Sequence, residues 1–131
     1  MEKPEYKNYQ PVLVICPNCE EQYNSTVVRV VKPATPEIEA LQQGELNKSK
    51  CPGCNLEGVL PIPFVLYQPQ FERVILFVEN YQQLDEKNQK TIMQLLLLAL
   101  RHEIQTPLQS SGLKDISIAE EYEQMVQLAL E

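Results

Sequence analysis

The sequence predicts an α+β fold in which an antiparallel β domain is followed by a C-terminal helical hairpin, and three observations predict it. Residues 12–15, 26–31 and 74–78 are rich in apolar and β-branched side chains, a composition that suits a pleated, half-buried surface. All four cysteines fall in two copies of one pattern, Cys16-Pro17-Asn18-Cys19 and Cys51-Pro52-Gly53-Cys54, with 31 residues between the copies. From residue 86 the apolar residues recur at three- and four-residue spacing until Pro107. The division that follows is a β domain over residues 1–79 and a helical region over residues 80–131 that packs on its sheet.

Residues 1–10 are polar and charged and read as an arm. Residues 12–15 form a strand ending at Cys16, and residues 23–31 a second strand that leaves the cysteine turn and pairs back on the first. Thr35 before Pro36 has the order of an N-cap and first helical position. A short helix over residues 36–43 follows, with Ile38 and Leu41 on one face and Gly44 as its closing cap. Residues 46–50 are extended and bring in Cys51. Residues 58–67 are apolar, but Pro61 and Pro63 confine them to an edge or an irregular strand. Residues 68–73 turn, and the unbroken run over 74–78 predicts a strand covered on both faces.

Asp85 caps a long helix over about residues 86–105, and Pro107 stops it. Ile92, Leu95, Leu96 and Ala99 make one stripe and Met93, Leu97, Leu100 and Ile104 another, so with Leu98 the middle of the helix is apolar nearly all round. Such a helix must be buried from several sides, and any apolar face left over suits a partner or a second copy. Residues 106–115 are expected to loop. Ser117-Ile118-Ala119-Glu120 has the form of a capping box opening a final helix, whose Ile118, Tyr122, Met125, Val126 and Ala129 face is expected to lie on the leucine-rich helix.

Two C-x-x-C turns supply four sulfurs that can close a tetrahedron around Zn²⁺, and a complete set of four thiolates leaves no position for water or substrate. The expected ligands are Cys16, Cys19, Cys51 and Cys54, the expected cofactor is structural Zn²⁺, and the β domain is then zinc-ribbon-like. Two disulfides are disfavoured because residues 1–10 lack the apolar core of a secretory signal. A thioredoxin-type redox pair would open a helix, whereas Cys19 leads into Glu20-Glu21-Gln22-Tyr23 and a β-branched run. Iron held by the same paired turns is the alternative that spacing leaves open.

The two Cys-Pro-x-Cys motifs are joined by Pro36-Glu37-Ile38, Gly44-Glu45-Leu46-Asn47 and Leu66-Tyr67-Gln68-Pro69. On these residues the chain, from Leu13 to about Glu79, resembles the CpXC family. The resemblance implies a zinc-binding domain and no assigned reaction. Two departures stand out. Glu20 and Asn55 occupy places where the family often has glycine, and because Glu tolerates a left-handed backbone poorly the first knuckle is expected to be the less regular. Gln68 stands where the family commonly has an acidic residue or histidine.

Net charge is −7, with 18 acidic and 11 basic side chains, and the excess is shared by both halves. That balance disfavours nucleic acid as a partner. Lys48, Lys50, Arg29 and Lys32 could form a small basic patch, but lysines on an edge strand more often block aggregation. No run approaches the roughly 18–20 apolar residues that cross a bilayer, and with reduced cysteines a cytoplasmic location is expected. His102, the one histidine, falls near a helix C-terminus, where a cation is favoured by the helix dipole without any catalytic role. With no serine–histidine–acid set, spare cysteine or glycine-rich phosphate loop, the chain is expected not to be an enzyme. The function predicted is a non-catalytic, zinc-stabilised protein–protein interaction module, binding another protein or itself through the leucine-rich helix or an edge strand. The alternatives are a nucleic-acid-binding ribbon and a thiol-based redox or metal-responsive switch.

Overall fold

Each cysteine pair sits at the tip of its own hairpin. The computed structural model describes residues 8–104 and 115–131. Strands β1 (Tyr9–Ile15) and β2 (Gln22–Val28) pair antiparallel, with Tyr9 opposite Val28 and Ile15 opposite Gln22. A two-residue strand β3 (Val30–Val31) follows, then helix α1 (Pro36–Gln42). Thr35 caps α1 by accepting from the Ile38 amide at 3.4 Å, Pro36 opens it, and Gly44, at φ +73°, turns the chain away just past its end. Strands β4 (Lys48–Lys50) and β5 (Glu57–Val59) form the second antiparallel hairpin.

A second sheet is built from strands drawn from both halves of the chain. Strands β6 (Phe64–Gln68) and β7 (Arg73–Phe77) are joined by a tight turn over Pro69–Phe71 and form its centre, in the order β3-β6-β7-β8. The expectation that Pro61 and Pro63 hold this segment at an edge is overturned: both precede β6, which pairs with β3 on one side and β7 on the other. Helix α2 (Glu86–Ile104) begins where expected, with the Asp85 carboxylate accepting from the Asn88 amide at 2.9 Å. It serves as the crossover to β8 (Asp115–Ala119), which lies parallel to β7. Parallel neighbours need such a crossover, because no tight turn can reverse the chain twice.

Asp115–Ala119 is therefore a strand and not the start of the last helix. Ile116 and Ile118 alternate with Ser117, a two-residue period that the capping-box reading passed over, and pairing with β7 satisfies its backbone groups. Helix α3 begins later, at Tyr122, and runs to Ala129. The expected loop over residues 106–115 lies outside the described residues, apart from Asp115. So does most of the expected arm, whereas Tyr9 and Gln10 belong to β1.

The central pair buries both faces, as the sequence predicted for residues 74–78. Phe64, Leu66, Ile75 and Phe77 point to one side, where they meet Leu41 of α1 and Met125, Val126 and Ala129 of α3. Val65, Val74, Leu76 and Val78 point to the other, where they meet Leu96, Ala99 and Leu100 of α2. The α+β class and the C-terminal helix stand as expected. The packing of α3 does not: its apolar face meets α1 and the sheet, on the side opposite α2. Gln42 and Gln68 donate to the carbonyls of Ala129 and Leu128 at 2.8 and 2.9 Å, tying the last turn of α3 to α1 and to β6.

Two asparagines hold the junction between hairpin and sheet. The Asn8 side chain accepts from the Val30 amide and donates to the Val30 carbonyl, and Asn47 does the same for Val28, at 2.7 Å in each accepting bond. Each amide side chain thus stands in for a missing neighbouring strand. Asn47 is buried and left-handed, at φ +57°. Replacing Asn47 with Ala should cost about 2–4 kcal/mol in denaturant unfolding, because it leaves two Val28 groups unpaired and strains the turn. Asn47→Gly should relieve only the strain and recover about 1 kcal/mol of the loss.

Burial pushes the Tyr122 hydroxyl up to about 12, and that hydroxyl donates to the Leu46 carbonyl at 2.9 Å. Its folded value lies above the unfolded one of 10.0, so the contribution is complete below pH 10 and is lost as pH rises toward 12. Tyr122→Phe should therefore be less stable than the parent at pH 8, and the gap should narrow across pH 10–12 in parallel urea titrations.

Candidate metal centre

The two knuckles are built alike, bond for bond. Cys16 donates its amide to the Glu21 carbonyl and accepts at its own carbonyl from the Glu20 amide, both at 2.9 Å. Cys51 makes the same pair of bonds with Leu56 and Asn55, also at 2.9 Å. The proline after each first cysteine presets the turn. Glu20 and Asn55 both stand at φ 64°, so the first knuckle is as regular as the second, against expectation. The strain is borne by Glu20 itself, since glycine or asparagine tolerates that backbone at lower cost.

The four sulfurs converge as predicted. Cys16 Sγ lies 3.6 Å from Cys54 Sγ and Cys19 Sγ lies 3.5 Å from Cys51 Sγ, and all four fall within 4.8 Å of one another. A tetrahedron with metal–sulfur bonds of about 2.3 Å has edges of about 3.8 Å, inside that spread. Cys16 and Cys51 are buried, Cys54 is half-buried and Cys19 is exposed, so the cluster sits at the tip of the ribbon with one side toward water. A soft, four-thiol donor set of this size fits a tetrahedral metal ion.

Groups around the sulfurs divide them. The Asn18 side chain and the Leu56 amide bond to Cys54 and hold its thiol down at about 6. The Glu21 amide pulls Cys19 down, but hydrogen bonding to Cys51 and burial outweigh it and leave that thiol at about 12. The Glu21 and Leu56 amides stand at the same offset in the two knuckles, and both donate to the second sulfur of their pair. Such donors orient ligands and spread their negative charge. Glu21 also reaches across to the second knuckle, where its carboxylate lies against Gly53; a Cβ at that position would collide with it and come 3.5 Å from Cys19 Sγ. Sequence reasoning overlooked Asn18 and Glu21, whose place beside a C-x-x-C pair was the available signal.

The other residues singled out from sequence are dispersed. Lys48 pairs with Glu45 and Glu57, Lys50 with Glu57, and Lys32 with Glu103, while Arg29 donates to Gln10. His102 lies in the last turn of α2, exposed, beside a hollow lined by Leu95 and Leu98. Gln68 is buried and ties β6 to Arg73 and to α3, so in this chain the position serves packing.

Comparison with known proteins follows the same lines. A family model described as CpXC protein matches residues 14–127. The match runs well past Glu79, the end expected from sequence motifs, and takes in α2, β8 and most of α3. No curated protein matches the chain, and no solved structure does. Because Glu20 holds a left-handed backbone that glycine adopts without steric cost, Glu20→Gly should raise thermal stability by about 1 kcal/mol. Asn55→Gly should change it by only a few tenths, read from paired melting curves.

Proposed function

The chain belongs to the CpXC family, and from that premise we propose that it is a non-catalytic interaction module whose ribbon is stapled by one structural Zn²⁺ on Cys16, Cys19, Cys51 and Cys54. The observation that carries the reading is the convergence of four thiols from two hairpins into one cluster. Four protein ligands complete the preferred coordination of zinc, so the ion would hold structure and would not activate water. Structural zinc in finger-type peptides is worth about 10–16 kcal/mol of apparent binding energy, as much as the whole stability of a typical domain. Folding of the ribbon would then depend on the metal. A thiolate set of this kind persists in a reducing compartment, which favours the cytoplasm. No described helix is long and apolar enough to cross a membrane.

Two surfaces support the interaction half of the proposal. Leu95 and Leu98 of α2 remain 61% and 49% exposed, and Leu13 and Ile15 of β1 remain 63% and 60% exposed. Either can meet another protein or a second copy of the chain.

Elemental analysis of protein purified without added metal should find one zinc per chain. Iron at that ratio would reject zinc, and no metal at all would reject the staple. Cys51→Ser should lose the ion and lower the melting temperature by tens of degrees, so an unchanged melting temperature would refute the dependence of the fold on it.

A further inference from the structure

Hydrogen-bond parity decides which edges of the ribbon are open. In an antiparallel pair, residues alternate between those that bond across the ladder and those whose N–H and C=O point away from it. The Cys16 to Glu21 and Arg29 to Asn8 bonds bracket the first hairpin and fix its bonded pairs. The outward-pointing residues of β1 are therefore Tyr9, Pro11, Leu13 and Ile15. Among the described residues β1 pairs with β2 alone, so the amides of Leu13 and Ile15 face outward without a strand beside them. In the second hairpin the Cys51 to Leu56 and Leu60 to Asn47 bonds set the parity, and the outward residues are Glu57 and Val59 on β5 and Lys48 and Lys50 on β4.

These edges are not equivalent. On β4 both outward residues are lysines paired with carboxylates, a common device against unwanted strand pairing. On β1 only Pro11 interrupts the edge, and the stretch from Val12 to Ile15 is apolar. The edge of β1 borders a groove of about 400 Å³ whose other wall is the segment from Leu56 to Ile62. A second hollow, bounded by Glu79, Glu120 and Glu121, shares Val59 and Pro61 with that groove as lining residues. Glu120 accepts from the Gln82 amide at 2.8 Å. Among the described residues none of these three carboxylates has a cationic side chain paired with it.

We infer that this groove takes an extended, apolar peptide bearing Lys or Arg at one end, added as a strand to β1 with its basic end at Glu79, Glu120 and Glu121. The inference rests on the reading of the chain as an interaction module and names the surface and the chemistry of its partner. Backbone pairing with Leu13 and Ile15 supplies direction, the apolar walls take alternate side chains, and the acidic end selects charge. A helical partner would leave the outward amides of β1 unsatisfied.

The test uses the full-length, metal-loaded chain as bait for random nine-residue peptides displayed on phage. The expected selection is a run of alternating β-branched residues ending in Lys or Arg. As a synthetic peptide, the best binder should weaken at least about tenfold when alternate amides are N-methylated, since strand hydrogen bonds are lost. It should weaken about threefold at low salt on Glu121→Gln, whose side chain is exposed, or on Glu120→Gln, whose side-chain oxygen can still accept from the Gln82 amide. Amide resonances of Leu13, Ile15 and Val59 should shift on titration, and Leu13→Pro, which removes one outward donor and no ladder bond, should abolish binding. No enrichment, enrichment of acidic peptides, indifference to N-methylation, or shifts confined to Leu95 and Leu98 would each overturn the inference. The last of these would leave the module reading standing, whereas a chain that folds unchanged without metal would sink that reading by a separate route.

Discussion

Four sulfurs on two hairpins must occupy a space less than 5 Å across, and the placement of the ribbon follows from that requirement. The second hairpin is too short to hold a core of its own: β4 and β5 contribute three residues apiece. What fixes the two hairpins together is the cysteine cluster at the tip, the Tyr23 to Ser49 hydroxyl contact at 2.9 Å beside it, and the Asn47 bridge to Val28 at the base. A metal ion at the tip would act where apolar burial is thinnest, which is the usual circumstance of small metal-stapled units.

The sheet below works on a different principle. Its central pair sends alternate side chains into two separate clusters, and a helix layer closes each. Val28 belongs to the cluster that contains Phe64 and Met125, while Val30, two residues on, belongs to the one that contains Leu96 and Leu100. The chain passes from ribbon to sheet between those two valines, at Arg29, and Asn8 and Asn47 clasp it on either side. Ribbon and sheet are thereby coupled through one short segment whose backbone groups are almost all accounted for.

Much of this was legible because it is local. Ligand spacing marks a C-x-x-C turn, the order Thr-Pro marks a helix start, and an unbroken run such as Val74 to Val78 marks a strand with two covered faces. The cysteine cluster itself follows from the repeated Cys-Pro-x-Cys pattern. What escaped were choices settled by distant residues. Ser117 to Glu120 carries both a capping pattern and a two-residue alternation, and only the presence of β7 alongside decides between them. The apolar stripe of α3 says that the face is buried but not by what, and α1 occupied it in place of α2. Asn8 and Asn47 lie in segments with no periodicity, so their bridging could not be inferred from neighbours in sequence.

The arrangement of the second sheet also dictates an order of assembly. Strands β6 and β7 are adjacent in sequence and can zip together as soon as both exist, but β3 and β8 join them in parallel, Val30 meeting Val65 and Arg73 meeting Asp115. Contacts that distant pay their loop-closure entropy late and slow the search for the native state. During synthesis the hairpin of β6 and β7 therefore emerges with one margin still bare, and it keeps that margin until α2 has been made and the chain has doubled back. A nascent chain stalled in that interval exposes an apolar strand edge, the kind of surface that chaperones shield.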